Sequence, residues 1–261
     1  MPQSVREELR VRNVRLDKAE SRGFVSSEIG PRYFYLVWTT IWAIFHFTSL
    51  LLVPYYRTVL TPYPEPWTVH LPNWSYLVLV ITSVSDCVAT IIALTKRKGL
   101  LAPSADEVPA IPWFMQLVWL LYNTANVSVL TATLLLRVII PFRTDLSSIL
   151  VQVVSPVYVT MNIFVCGKET RLLHVYQPFC FIFLYMLTNA VYTLTSGSRI
   201  YPLLNWSGSP IITIAISMGI LMTFVPLLHV FVYGVFRLRT YVIDRCKRET
   251  VEDPPATEPN Q

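Results

Sequence analysis

Asp86 is the one acidic residue that lies well inside a long apolar run of this chain, and His46 sits in the middle of another. An ionisable side chain in such surroundings is costly to bury. It marks a place where a charge, a proton or a polar ligand is handled, or where helices are held together. At 1.5 Å per residue, Asp86 lies roughly 16 Å and His46 roughly 14 Å from the outer ends of their runs. The matching depths allow an Asp86–His46 contact. Asn123 and Asn126 of a third run fall at similar depth, and Gln152 and Ser155 of a fourth lie a little nearer the outside. These six residues form a candidate intramembrane polar cluster. Three chemistries fit it: a site that binds or hydrolyses a lipid, an ion or proton path, and hydrogen bonding between helices at about 0.6–2 kcal/mol per contact. A path ordinarily needs more than two ionisable groups along its length. His174 and His229 are expected at headgroup level, and Arg137 is expected to snorkel outward from the third run.

Local catalytic signatures are absent from the sequence. There is no H-E-x-x-H, C-x-x-C, G-x-S-x-G or glycine-rich phosphate loop. That argues against soluble-type hydrolases and nucleotide-driven pumps, and no metal or cofactor is expected. Hydrolases embedded in the membrane need no such local signature.

The elements that must position these residues are membrane helices. Of 261 residues, 53% are hydrophobic and only 14% charged, and the mean hydropathy is +0.48. Soluble domains carry about 25% charged residues. Six apolar runs are long enough to cross a bilayer core of about 30 Å as helices. They are 33–55, 75–95, 113–135, 147–166, 172–194 and 211–233. Barrel strands would be about half as long and would alternate in polarity. The expected fold is an all-α, polytopic membrane bundle of six helices. Residues 1–32 form a basic N-terminal segment, 33–236 the helical domain, and 237–261 a largely disordered polar tail rich in proline.

Six spans put both termini on one side. Seventeen Lys and Arg residues fall in the terminal segments and the even-numbered connections, against three in the other connections (Arg57, Arg143 and Arg199). The excess of basic residues on one side predicts cytosolic termini. It also accounts for a pI near 9.0 without nucleic acid as a partner. The first 32 residues hold 12 charges and no apolar core of a signal peptide, so the first span should act as an uncleaved anchor. The expected partners are the lipid bilayer and other membrane proteins or further copies of the chain. The plasma membrane is the expected home, with the endoplasmic reticulum as the alternative.

Asn73 and Asn205 head glycosylation sequons on the outer side, close to spans, where they also suit helix caps beside an interfacial Trp. Cys246 lies among basic residues next to the sixth span, a setting for palmitoylation or for a plain thiol. Small residues repeat every four positions at Ser85–Ala89–Ala93, Thr124–Ser128–Ala132 and Ala215–Gly219. Such faces let helix backbones approach closely.

Three segments resemble the Rolling stone family of multi-pass membrane proteins. Tyr122-Asn123 looks like that family's Tyr-Asn, followed by an apolar stretch whose Thr would be Thr133. Arg171-Leu172-Leu173-His174, followed by Pro178, looks like the Arg-Leu-Leu-His entry to the fifth span. Ile200-Tyr201-Pro202-Leu203-Leu204-Asn205-Trp206 resembles the outer-loop Ile-Tyr-Pro-x-x-Asp-Trp, with Asn205 in place of Asp. The resemblance covers roughly 75–210 and implies a role in muscle development and myoblast fusion. The family is itself distantly similar to intramembrane hydrolases of fatty-acid esters that use a Thr and a His. Here the family's fourth-span His-x-x-Asn falls on Gln152 and Ser155, and the hydrolase Thr falls near Val78. Gln cannot serve as a general base in the way His does. A non-catalytic role in cell-surface interaction therefore stands first, lipid-ester hydrolysis second, and transport third.

Overall fold

The computed structural model describes residues 10–16, 19–31, 33–55, 66–97, 99, 110–139 and 146–252, with the side chains of all but 11–12, 136–139, 146 and 250–252. Arg137 therefore lies outside the described side chains. Every regular element among the described residues is a helix, and six helices are long and apolar enough to cross a membrane. The chain is a multi-pass membrane protein built as an α-helical bundle.

The first span is Phe34–Tyr55. The second, Leu71–Thr95, starts four residues before the expected Ser75, with Pro72 in its first turn. Proline suits that place because the first turn has no internal partner for its N–H. The third span is Trp113–Ile139. The fourth runs from Leu146 to Val165 and widens into a π turn at Leu150–Val154. The fifth opens with a 3-10 turn, Leu172–Val175, and continues as Tyr176–Ser196. It stops at Gly197, whose φ of +70° gives the left-handed cap. The sixth comprises Pro210–Gly219, a π turn at Ile220–Phe224, and Val225–Glu252.

Both π turns have the same cause. A proline inside a helix removes one N–H and crowds the carbonyl four residues back. Pro156 and Pro226 each stand four residues after a π-turn residue, Gln152 and Met222. Widening that turn relieves the clash.

The sixth helix continues through Glu252, where a largely disordered tail was expected from 237. Arg, Leu and Lys favour helix, and Arg245 pairs with Glu249 one turn on.

The third span is central. It is 67% buried, against 28% for the first and fifth, and it touches the second, fourth, fifth and sixth. Its small face works as expected: Thr124, Ser128 and Ala132 are buried, and Ser75 of the second span donates to the Ser128 carbonyl at 3.1 Å. In the second span Ala89 and Ala93 are buried, while Ser85 is only half-buried. The Ala215–Gly219 face of the sixth span is not a packing face, because both residues are exposed. Thr213, Ser217 and Leu221 face the bundle instead. The first span meets the fourth through Trp38 and Trp42 against Tyr158, and Trp38 donates to Asn162 Oδ1 at 2.9 Å. Ile44, Leu51, Ile211 and Leu227 are more than half exposed and present the outer surface that lipid covers.

Residues 19–28 of the N-terminal segment also fold onto the bundle. Ala19, Phe24 and Val25 are buried with Ala93, Ile111, Met115 and Trp119 in an apolar cluster separate from the main core.

Candidate functional site

The ion pair at the heart of the bundle joins Asp86 to Lys168. Lys168 Nζ lies 2.7 Å from Asp86 Oδ2, and both side chains are shielded from solvent, at 0% and 2% exposure. Tyr35 closes a three-membered ring. Its hydroxyl accepts from Lys168 at 2.5 Å and donates to Asp86 Oδ2 at 3.0 Å. The ammonium also stands 5.2 Å and 5.3 Å from the ring centroids of Tyr35 and Tyr122. Taking two charges out of water costs several kcal/mol each, repaid only by close pairing and added hydrogen bonds. Tyr35 and the two aromatic faces supply those additions.

Lys168 belongs to the connection after the fourth span, one of the seventeen basic residues counted there and in the termini and other even-numbered connection. The connection folds inward because Gly167 allows it. A Cβ on Gly167 would lie 2.9 Å from the Cα of Gly23. A partial signal was present in the sequence: a buried carboxylate demands a cation, although the sequence does not say which of its 21 Lys and Arg residues supplies it.

His46 does not reach Asp86. Its Nδ1 lies 3.4 Å from the Tyr76 hydroxyl, and its ring is enclosed by Trp42, Phe45, Tyr76 and Tyr158 at centroid distances of 4.7–5.7 Å. The reason is helix register. The second span begins at Leu71 rather than Ser75, so Asp86 lies about one turn deeper than the sequence count places it. In the antiparallel pairing of the first two spans, Tyr35 then meets Asp86 and His46 meets Tyr76.

The expected six-residue cluster is thus several separate sites. Asn123 donates to His174 Nδ1 and to Gln177 Oε1, both at 3.1 Å. Asn126 is buried. Gln152 is half-buried in the π turn, and Ser155 donates to the Leu150 carbonyl at 3.0 Å. Thr133 and Val78 are half-buried. His174 and His229 are 0% and 1% exposed and are enclosed by protein. His174 packs edge-on against Trp119, and His229 Nε2 lies 2.9 Å from the Arg171 carbonyl.

Two of the three segments that carried the family resemblance converge at the end that holds Lys168. Tyr122 meets Cys166 Sγ at 3.3 Å, Asn123 meets His174, and Arg171 pairs with Glu169 at 2.9 Å while lying over Trp119. Leu172 and Leu173 are half-buried beside them.

At the opposite end Tyr201 accepts from the Leu71 N–H at 3.0 Å, and Tyr185 donates to the Val69 carbonyl at 2.9 Å. Trp206 donates to Asn189 at 2.9 Å, and Pro202 is exposed. Asn73 is buried, with its amide donated to the Trp67 carbonyl. Asn205 is half-buried and accepts from the Gly208 N–H at 2.9 Å. Cys246 is exposed on the sixth helix.

Compared with models of protein families, with curated proteins and with solved structures, the chain finds no match.

Proposed function

We propose that this chain is a non-catalytic multi-pass protein of the Rolling stone type, acting through lateral or cell-surface interaction. In this reading it lies in the plasma membrane with both termini in the cytosol, and a developmental or fusion role follows from the resemblance. One observation carries the non-catalytic part. The two ionisable groups singled out inside the spans are each occupied: Asp86 is held by Lys168 and Tyr35, and the groups in contact with His46 are aromatic rings. A general base needs a nucleophile or a reacting proton within hydrogen-bond reach. The hydroxyl within about that distance of His46 is the phenol of Tyr76. Gln152 and Val78 at the hydrolase-type positions support the same reading.

The alternative, an intramembrane lipid-ester hydrolase, has one observation in its favour. His46 Nε2 is buried with no hydrogen-bond partner among the described residues. The test is to incubate the purified full chain in lipid nanodiscs with a serine/threonine hydrolase probe and a panel of fatty-acid esters. Neither labelling nor ester cleavage is expected. Labelling that His46→Ala or Thr133→Ala abolishes would overturn the non-catalytic reading in favour of hydrolysis.

A further inference from the structure

We propose that residues 19–28 are a detachable strap that seals the Asp86–Lys168 pair from water, and that this end of the bundle opens when the strap lifts. The strap crosses the connection that carries Lys168. Gly23 lies against the backbone of Gly167, where an added Cβ would sit 2.5 Å from the Gly167 carbonyl oxygen. Phe24 packs edge-on against Trp119 at 5.4 Å, and Trp119 in turn donates to the Glu169 carbonyl at 2.6 Å. Ser27 donates to the Val165 carbonyl at 2.6 Å. The strap therefore touches the chain just before Lys168, at Val165 and Gly167, and is linked to the residue after it through Trp119.

Three features make it detachable rather than part of the bundle. Its apolar contacts form a cluster of their own, separate from the main core, and such satellites open without global unfolding. Its one helical element, Arg22–Val25, is a single turn, far too short to persist alone. Its far end is fastened by charge. Glu28 pairs with Arg239 and Lys247 of the sixth helix, each at 3.3 Å; Glu28 and Lys247 are 40% and 58% exposed, so salt screens that half of the clasp, while the pair with Arg239, at 4%, is screened less. The ion pair beneath behaves oppositely. It is strong while dry and weak once water enters, because Coulomb attraction falls steeply as the dielectric rises. Lifting the strap thus loosens the connection at 166–171 as well as uncovering it.

Cys166 is the natural reporter. It is fully buried, next to Gly167, with its thiol on the Tyr122 hydroxyl. In full-length protein in nanodiscs, with Cys87, Cys180 and Cys246 replaced by Ser, a water-soluble maleimide should label Cys166 slowly. Gly23→Leu should raise the rate at least about tenfold, since labelling follows the open population. Glu28→Gln should raise it less, and 0.5 M salt should raise it in the parent but not further in Glu28→Gln. A second reporter, Ala125→Cys in the fully buried middle of the third span, should stay unlabelled throughout. An unchanged Cys166 rate in both variants would overturn the proposal. So would an equal rise at position 125, which would mean that the whole bundle had loosened.

Discussion

At the scale of single residues the molecule turns on one pairing. Asp86 and Lys168 are each costly inside the bundle and acceptable only together, with Tyr35 bridging them. Lys168→Met leaves an unpaired carboxylate at a site shielded from water and should cost about 3–5 kcal/mol. Asp86→Leu combined with Lys168→Met should recover most of that loss, because neither charge then remains to be compensated. Unfolding of both variants by denaturant in mixed micelles, read by circular dichroism, gives the comparison. A double variant no more stable than Lys168→Met would show that the pair does not act as a unit. Such a pair is a poor ion pathway for the same reason: its charges already neutralise each other.

At the scale of elements, proline and tyrosine set the geometry. Pro156 and Pro226 widen their helices into π turns, which rotates everything beyond them relative to a regular helix. This is one reason why the packed face of the sixth span carries Thr213, Ser217 and Leu221 rather than the Ala215–Gly219 stripe. Tyr201 does a different job at the opposite end, where it caps the start of the second span by accepting from the Leu71 N–H. Tyr201→Phe removes that acceptor from a buried donor, a loss of about 1–3 kcal/mol. Hydrogen exchange at Leu71, Asn73 and Trp74 should quicken about tenfold for each 1.4 kcal/mol lost, while the middle of the second span keeps its protection. Exchange unchanged at Leu71 would mean that water or another group takes over the bond.

At the scale of the whole molecule, the charge distribution bears on topology. Most basic residues fall on the side of the termini and the even-numbered connections, the pattern of cytosolic faces. Epitope tags at each end should both be reached by antibody only after the plasma membrane is permeabilised. Staining of either tag on intact cells would refute the proposed orientation. In the proposed orientation the glycosylation sequons face the outer side and supply an independent check. Asn73 is buried and its amide is engaged with Trp67, so endoglycosidase treatment should produce no mobility shift from that site, and Asn73→Gln should migrate as the parent does.

The sequence by itself determined the class and the spans. Hydropathy is summed over neighbours along the chain, and a bilayer core sets a fixed length, so runs such as 113–135 declare themselves without knowledge of the fold. It also marked Asp86 as exceptional, because a lone acid in such a run stands out on composition alone. Only the tertiary structure decided what Asp86 does. Its partner lies 82 positions away in a connection, and pairing them depends on where the second helix starts and on whether a Gly–Gly contact lets a loop turn inward. The earlier start at Leu71 shifts Asp86 by about one helical turn, and the offset between the first two spans supplies the rest: His46 pairs with Tyr76, about 15 Å along the second helix from Asp86, which leaves Asp86 to Tyr35 and Lys168. The same holds for the strap, whose residues 19–28 are part of a basic N-terminal segment by sequence, and only the fold sets Phe24 against Trp119. Span positions follow from local free energies of transfer, whereas partners follow from register and close approach between distant segments.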